Sequence, residues 1–250
     1  MEFNYEQIPD GFYDKIFDGP DGIRKFWHWH KFDSVVRSIE ASTEKMSLLD
    51  IGCFSGSFSG RFLNENAFQS TSIDILPSQI LYAQERYEKP DRKFIAYKDF
   101  QDARNLLRGQ TFDVVTFIEV IEHLTQAQIA DFFLLVNEVT HKGSQLIITT
   151  PNYFSLWPIL EVILNLVSDV KYEEQHITKF NYWNFKTKLE SIYPQLSSQF
   201  TLKLLTTSHL VTPYLPLVSY PFAQKVSRFF TPSAWASPLG SILIARLEKN

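Results

Sequence analysis

The sequence predicts an α/β fold built on a mostly parallel sheet with helices on both faces. Three observations carry that expectation. Apolar, strand-like runs alternate with helical patterns from residue 45 to residue 150, and parallel strands need crossover helices between them. The first run, MSLLDI at 46–51, passes into a turn holding Gly52 and Gly56 and then into a small-residue helical pattern with Gly60. Two successive strands end in acids, Asp50 and Asp74, at the edge where open parallel sheets take ligands.

Residues 1–44 form an aromatic-rich N-terminal cover with Phe12, Tyr13, Phe17, Phe26, Trp27 and Trp29, and a helical pattern ending near Glu40. His28 and His30 flank Trp29, but an i, i+2 pair on a helix does not share a face. After the strand 46–51 a helix is expected from about Ser55, with N–H groups aimed at the turn. The stretch STSIDIL, 70–76, is a second strand, and Pro77 opens a helix over 77–88. Residues 93–97 form a third strand, with Asp99 and Phe100 at its end, and Asp99 is placed to cap the helix that follows. In TFDVVTFIEVIEHL, 111–124, Asp113 starts the fourth strand, where a structural role is expected. Glu119 and Val120 fall at its ligand edge, and His123 begins a helix. The helix 125–139 is expected to end through Gly143 as a C-cap, before a fifth strand at 144–150 stopped by Pro151.

Two apolar, proline-broken stretches follow, 154–167 and 210–230. The first, at 14 residues, falls short of the about 20 needed to span a bilayer. They define cap insertions at about 153–175 and 209–238, either a small cap with its own core or a contact for a greasy acceptor or a membrane surface. Between them, YEEQHITKFNYWNF places His176 before another helix. Residues 200–207 and 241–247 supply the last two strands, and no internal repeat is visible.

With 250 residues, 44% of them apolar and 21% charged, the chain can bury one large core with additions. Residues 1–150 carry 15 Lys+Arg against 22 Asp+Glu, and residues 151–250 carry 9 against 6. No basic face of the kind that binds nucleic acid is indicated. The single cysteine, Cys53, fits a reducing compartment, and the N-terminus lacks a secretion signal, so a cytoplasmic location is expected, with membrane association left open. No metal-ligand cluster is visible, and the oligomeric state is not fixed.

The acids indicate the ligand chemistry. Asp50 ends a buried strand with no Lys or Arg beside it, so a cationic ligand group would offset its burial. Asp74 suits the hydroxyls of a ribose, since hydrogen bonds to charged groups contribute about 1.5–3 kcal/mol. The spacing Gly-x-x-x-Gly-x-x-x-Gly is not the dinucleotide pattern, and an acid just before the turn would repel a pyrophosphate. A nicotinamide dehydrogenase is therefore opposed.

LLDIGCFSG at 48–56, SIDIL at 72–76, KDF at 98–100 and FDVVTFIEVIEHL at 112–124, followed by LIITTPN at 146–152, resemble the class I S-adenosylmethionine-dependent methyltransferases. The likeness covers roughly residues 45–152 and is to the small-molecule group that includes the ubiquinone-biosynthesis enzymes. It implies a Rossmann-like, seven-stranded sheet closed by an antiparallel pair, forming a methyltransferase domain over 45–250 behind the 1–44 cover. It implies S-adenosylmethionine as cofactor, with Asp50, Gly52, Cys53, Phe54 and Gly56 around its amino-acid end. Asp74 and Ile75 then serve the ribose, Asp99 and Phe100 the adenine, and Glu119 and Val120 the cofactor or acceptor. His123 and His176 are the candidate bases for a small-molecule or lipid-linked acceptor, with oxygen as the acceptor atom. Base amination is disfavoured, because the fourth strand ends in IEV and not in an Asn/Asp-Pro-Pro-aromatic motif. Phe54 stands where the family most often has glycine, and it raises the alternative of an inactive, cofactor-binding partner or regulatory protein.

Overall fold

Leu48 and Leu49 are neighbours in the first strand, and both are completely buried. Since successive side chains leave a strand on opposite sides, both faces of the sheet must be covered. The computed structural model describes residues 8–155, 176–210, 212–229 and 237–250. Its sheet has seven strands in the order β3-β2-β1-β4-β5-β7-β6. They are β1 (Met46–Ile51), β2 (Phe68–Asp74), β3 (Arg92–Ala96), β4 (Phe112–Ile118), β5 (Thr140–Pro151), β6 (Phe200–Ser208) and β7 (Ile242–Lys249). The first five run parallel, and β7 lies antiparallel between β5 and β6. The expected Rossmann-like sheet, including its closing antiparallel pair, is the one observed.

Helices α1 (Phe12–Asp18) and α2 (Ile23–Ser38) precede the sheet. The crossovers are α3 (Ser57–Arg61), α4 (Pro77–Tyr87), α5 (Phe100–Leu106) and α6 (Gln126–Glu138). Later come α7 (Phe185–Ile192), α8 (Leu196–Gln199) and α9 (Tyr220–Phe229). Local sequence explains several of their starts. Pro77 opens α4, Asp99 accepts from Asp102 N at 2.8 Å to cap α5, and Thr125 forms a capping box with Gln128 to open α6. Leu49, Ile51, Val115 and Phe117 face a core closed by Ala103, Ile129, Phe132, Phe133, Phe185 and Leu189. Leu48, Val114, Ile147 and Ile244 face the other way, onto Phe32 and Val35 of α2 and Phe58 of α3.

Two local expectations are corrected. Gly143 is not a C-cap. Helix α6 ends at Glu138, the Thr140 hydroxyl donates to Val136 O at 2.6 Å, and β5 begins at once. Gly143, at φ 87°, lies inside β5, where the register with β4 shifts between Phe112 and Val114. The glycine that looks like helix punctuation serves a strand irregularity. The helix after the glycine turn begins at Ser57, beyond Gly56, where a start near Ser55 was expected, and it is five residues long.

Of the two proline-broken stretches, 156–167 lies outside the described residues. The second gives a 3₁₀ turn, Thr212–Leu217, and α9, which lie beside α2, where Arg37 donates to Ser227 O and Arg228 O. Among the described residues, no helix is long and apolar enough to cross a membrane.

Candidate active site

The glycine turn lies at the carboxyl edge of β1, and β2 contributes the carboxylate that fastens it. Asp74 Oδ2 accepts from Phe54 N at 2.7 Å, and Oδ1 accepts from Leu76 N at 2.9 Å. Burial raises the pKa of Asp74, opposed by the backbone N–H groups of Phe54, Leu76 and Ile75. With three N–H donors on it, the carboxylate keeps acceptor capacity for a ligand. Asp50 is buried one strand away, accepts from Thr116 Oγ1 at 2.7 Å and from Ser59 Oγ at 3.4 Å, and pairs with no cation among the described residues. Burial pushes its pKa up to about 7, against the lowering effect of the Thr116 hydroxyl. In the same turn the Ser55 hydroxyl is fully buried with no hydrogen-bond partner.

Glycine is required here for packing. A Cβ on Gly52, at φ 77°, would meet Val120 Cγ2 at 2.5 Å, and one on Gly56, at φ 74°, would meet Phe94 at 2.6 Å. The first of these contacts ties the β1 turn to the segment after β4. Phe54 itself has φ 50°. It occupies the left-handed conformation that glycine adopts freely, at a cost of about 1–2 kcal/mol for a residue with a Cβ. The bond from its N–H to Asp74 and the edge contact of its ring with Tyr13, at 5.6 Å, accompany that conformation. Cys53 turns its thiol into a small cluster with Ile80, Ala83 and Phe94, and burial raises its pKa well above the usual thiol range, so it is inert.

At the next edge Asp99 caps α5 through Oδ1, and Phe100 packs inward against Tyr97 and Phe132. Ile75, half exposed beside Asp74, is the apolar side chain at that edge open to a ligand.

The segment after β4 is shaped by Glu119, which has φ 56° and donates its N–H to Thr149 at the end of β5. The chain then makes a 3₁₀ turn, Ile121–His123, where a helix start was expected at His123. Glu122 is 1% exposed, and its Oε2 has no hydrogen-bond partner. Burial, with the nearby Glu119 carboxylate, raises its pKa well above the usual range. His123 Nε2 lies 3.9 Å from Glu122 Oε1. His176 is far away in sequence, yet its ring centroid lies 5.1 Å from that of His123. Thr178 holds this strand of chain in place, with its N–H on Glu122 O at 2.9 Å and its hydroxyl on Leu124 O at 2.7 Å. The Tyr153 hydroxyl pairs with His176 Nδ1 at 2.6 Å. Burial, then the neighbouring His123 and Lys179, lower the His176 pKa to about 3.

The structure thus brings both predicted histidines together and adds groups to which the sequence reading gave no role: Glu122, Tyr153 and, from the N-terminal cover, Lys31. Lys31 is 4% exposed, lies over the Tyr13 ring at 5.3 Å, and lowers the pKa of Glu119 against the larger effect of burial. Helix α1 is pinned over this region through Asp14, which accepts from Ser57, Arg61, Tyr82 and Tyr87 at 2.6–2.9 Å. Asp113, expected to be structural, accepts from Ser47 N and Oγ at 2.7 Å, away from the ligand edge.

A sheet of this order, with acceptor carboxylates closing its first two strands, is that of a nucleoside-cofactor α/β domain. Sequence then gives the family: residues 26–201 match the methyltransferase domain family, and the chain belongs to it. No curated protein matches the chain significantly. The fold is shared with a S-adenosylmethionine-dependent methyltransferase from Archaeoglobus fulgidus, with TM-score 0.61, 18% identity, and 99% of this chain and 100% of that one covered. It is shared too with the PH0226 protein of Pyrococcus horikoshii, with TM-score 0.62, 16% identity, and 99% and 100% covered. The N-methyltransferase NodS of Bradyrhizobium japonicum, solved with S-adenosylhomocysteine, aligns with TM-score 0.54 and 14% identity over 95% and 96%. The cofactor is S-adenosylmethionine, and the edge fits it: Asp74 keeps acceptor capacity, Asp50 is a buried acid without a cation, and Ser55 is an unpaired hydroxyl in the turn.

Proposed function

We propose that the protein methylates an oxygen of a small-molecule or lipid-linked acceptor. The observation that carries this reading is the buried group of Glu122, His123 and His176, on the segment that touches the glycine turn through Val120. Bound S-adenosylmethionine supplies an electrophilic methyl group. Asp74 accepts the ribose hydroxyls, Asp50 meets the ammonium group, and Ile75 forms the adenine wall beside the outer oxygen of Asp99. Gly52, Cys53, Phe54 and Gly56 shape the turn, with Glu119 and Val120 opposite. A hydroxyl acceptor must be aligned and must lose its proton, and a positioned base contributes about 10²–10⁴-fold. His123 is that base. His176, with its pKa near 3, takes up little proton at neutral pH and instead orients the acceptor beside Tyr153.

A lipid-linked acceptor is supported by the surface near α9, where Leu217 is 73% exposed, Val218 81% and Phe229 77%, with Lys225 and Arg228 on the helix between them. A nitrogen acceptor is the second reading, favoured by the fold shared with NodS. An active enzyme is supported by Phe54 taking the left-handed backbone conformation that glycine favours, so that the turn keeps its shape.

Calorimetric titration with S-adenosylmethionine, S-adenosylhomocysteine and a nicotinamide dinucleotide tests the cofactor. Transfer of labelled methyl to hydrophobic phenols, amines and lipid-linked sugars then tests the acceptor. Binding of the first pair with methylated phenol or sugar hydroxyl is expected. N-methylated product alone overturns the oxygen reading, and cofactor binding with no transfer to any acceptor class restores the inactive one.

A further inference from the structure

Three histidines gather around helix α2, and the fold accounts for two of them. His30 Nδ1 pairs with Ser34 Oγ at 3.3 Å. His209 pairs with Ser208 Oγ at 2.7 Å through Nδ1 and with Trp27 O at 2.9 Å through Nε2. The third, His28, is half-buried, and its Nδ1 is a buried atom without a hydrogen-bond partner. A buried polar atom normally has a partner, and leaving it without one costs stability. We propose that His28 is an acceptor-binding residue, whose imidazole donates a hydrogen bond to an anionic group of the acceptor, a carboxylate or a phosphate. This deepens the methyl-transfer reading above and rests on it.

The position of His28 follows from the direction of α2. Beyond the end of this helix Glu40 N donates to Gln145 Oε1, and Arg246 donates to Ser38 O, so its C-terminus lies where β5 begins its pairing beside Val114. Phe32 and Val35 pack on Leu48, Val114, Ile147 and Ile244 of the sheet. His28 stands one turn earlier on that same face, since residues four apart are neighbours on a helix. About 15 Å of helix separates Ser38 from His28, and β5 takes about 20 Å to run from Gln145 to Pro151. His28 is thereby carried toward the carboxyl edge of the sheet. Two ring contacts agree with that placement. The His28 ring lies 4.9 Å from that of Tyr13, edge to face, and Tyr13 lies 5.6 Å from Phe54 of the glycine turn.

Charge selects the ligand. Burial lowers the His28 pKa well below its usual value, and Lys31, Arg24 and His209 act in the same direction. The ring is therefore neutral, with one N–H to donate. Lys31, three residues further along α2, also acts on Glu119 at the end of β4, whereas Glu119 is not among the charges that shift His28. The side chains whose charge reaches His28 are thus cations, and an anion accepting from the ring would meet both their field and the unmet requirement of the imidazole.

The test uses the full chain and the variants His28→Phe and His28→Asn. Phenylalanine keeps the bulk of the ring and removes its nitrogens, so the melting temperature of ligand-free His28→Phe should equal or exceed that of the wild type. A fall of several degrees would make His28 a structural residue and overturn the proposal. Protein loaded with S-adenosylhomocysteine is then titrated calorimetrically with para-hydroxyphenylacetate and with its uncharged amide. The wild type should bind the carboxylate about 10-fold or more tighter, as a hydrogen bond to a charged group implies. His28→Phe should lose that preference, and His28→Asn, which keeps an N–H, should retain part of it. No preference in the wild type, or one unchanged in His28→Phe, overturns the site. Affinity for S-adenosylhomocysteine should stay within about 3-fold in both variants. If it falls in His28→Phe while affinity for methylthioadenosine, which lacks the amino-acid end, is kept, the carboxylate at His28 is the cofactor's own and the acceptor assignment is overturned. Selective binding of the carboxylate through His28 with no S-adenosylhomocysteine binding would leave the anion site standing and the methyltransferase reading overturned.

Discussion

The two halves of the ligand edge are built in opposite ways. Around β1 and β2 the site is made largely of backbone, and the acids are already engaged: Asp74 by Phe54 and Leu76, Asp50 by Thr116 and Ser59. Its functional residues lie within one continuous stretch, 50–76. Around β4 and β5 the site is made of side chains from the N-terminal cover, the turn after β4, the end of β5 and the chain near His176. There Glu122 Oε2 and His28 Nδ1 are buried without partners. A cofactor common to many enzymes can be held by a local cradle of backbone and short polar side chains, which leaves Ser55 Oγ unpartnered. An acceptor particular to one enzyme draws on side chains gathered from distant parts of the chain, and buried groups with perturbed titration mark both halves.

Substitutions sharpen this comparison, the largest effect first. On the proposed ribose role, Asp74→Ala would remove two charge-assisted bonds, each contributing about 1.5–3 kcal/mol, and it also frees Phe54 N. Calorimetry should show S-adenosylmethionine affinity lost by about 10²-fold or more. Unchanged affinity would place the cofactor elsewhere. His123→Ala should lower kcat by about 10²–10⁴-fold with S-adenosylhomocysteine affinity nearly unchanged. If both fall together, the two halves are not separable in the way described.

A smaller effect is expected from pH. Asp50 has a folded pKa of about 7, above the ordinary carboxylate value of about 3.9. Between those values the folded chain holds a proton that the unfolded chain has released. Asp50's contribution to stability is therefore fully present below about pH 4, falls as pH rises toward about 7, and levels above it. Asp74, Glu119 and Glu122, also raised, act with the same sign. The melting temperature of the cofactor-free protein should fall between pH 5 and 7, and Asp50→Asn should flatten part of that fall; an unaltered slope would mean Asp50 is not the titrating group. The smallest effect belongs to Phe54→Gly, which relieves about 1–2 kcal/mol of left-handed strain but forfeits the contact with Tyr13. Its melting temperature and cofactor affinity should both stay close to wild type. A marked gain in turnover would show that Phe54 impairs the enzyme.

The sequence by itself determined the parallel sheet and the places of its seven strands. Those features are local: an apolar run, a turn that only certain residues tolerate, and an acid one residue before it are read within a few positions. Asp50 and Asp74 were legible for that reason, and so was the capping of α5 by Asp99. Gly143 misled because a positive-φ glycine serves a strand irregularity as well as a helix end, and only the pairing of β4 with β5 distinguishes the two. The tertiary structure alone decided what meets across the acceptor edge. Lys31, Glu122, Tyr153 and His176 have no shared spacing, and their proximity follows from β5 lying beside β4 and from Thr178 hydrogen-bonding to Glu122. Burial is equally a property of the packed whole, so the sequence shows an acid at residue 122 but not a buried carboxylate whose Oε2 lacks a hydrogen-bond partner.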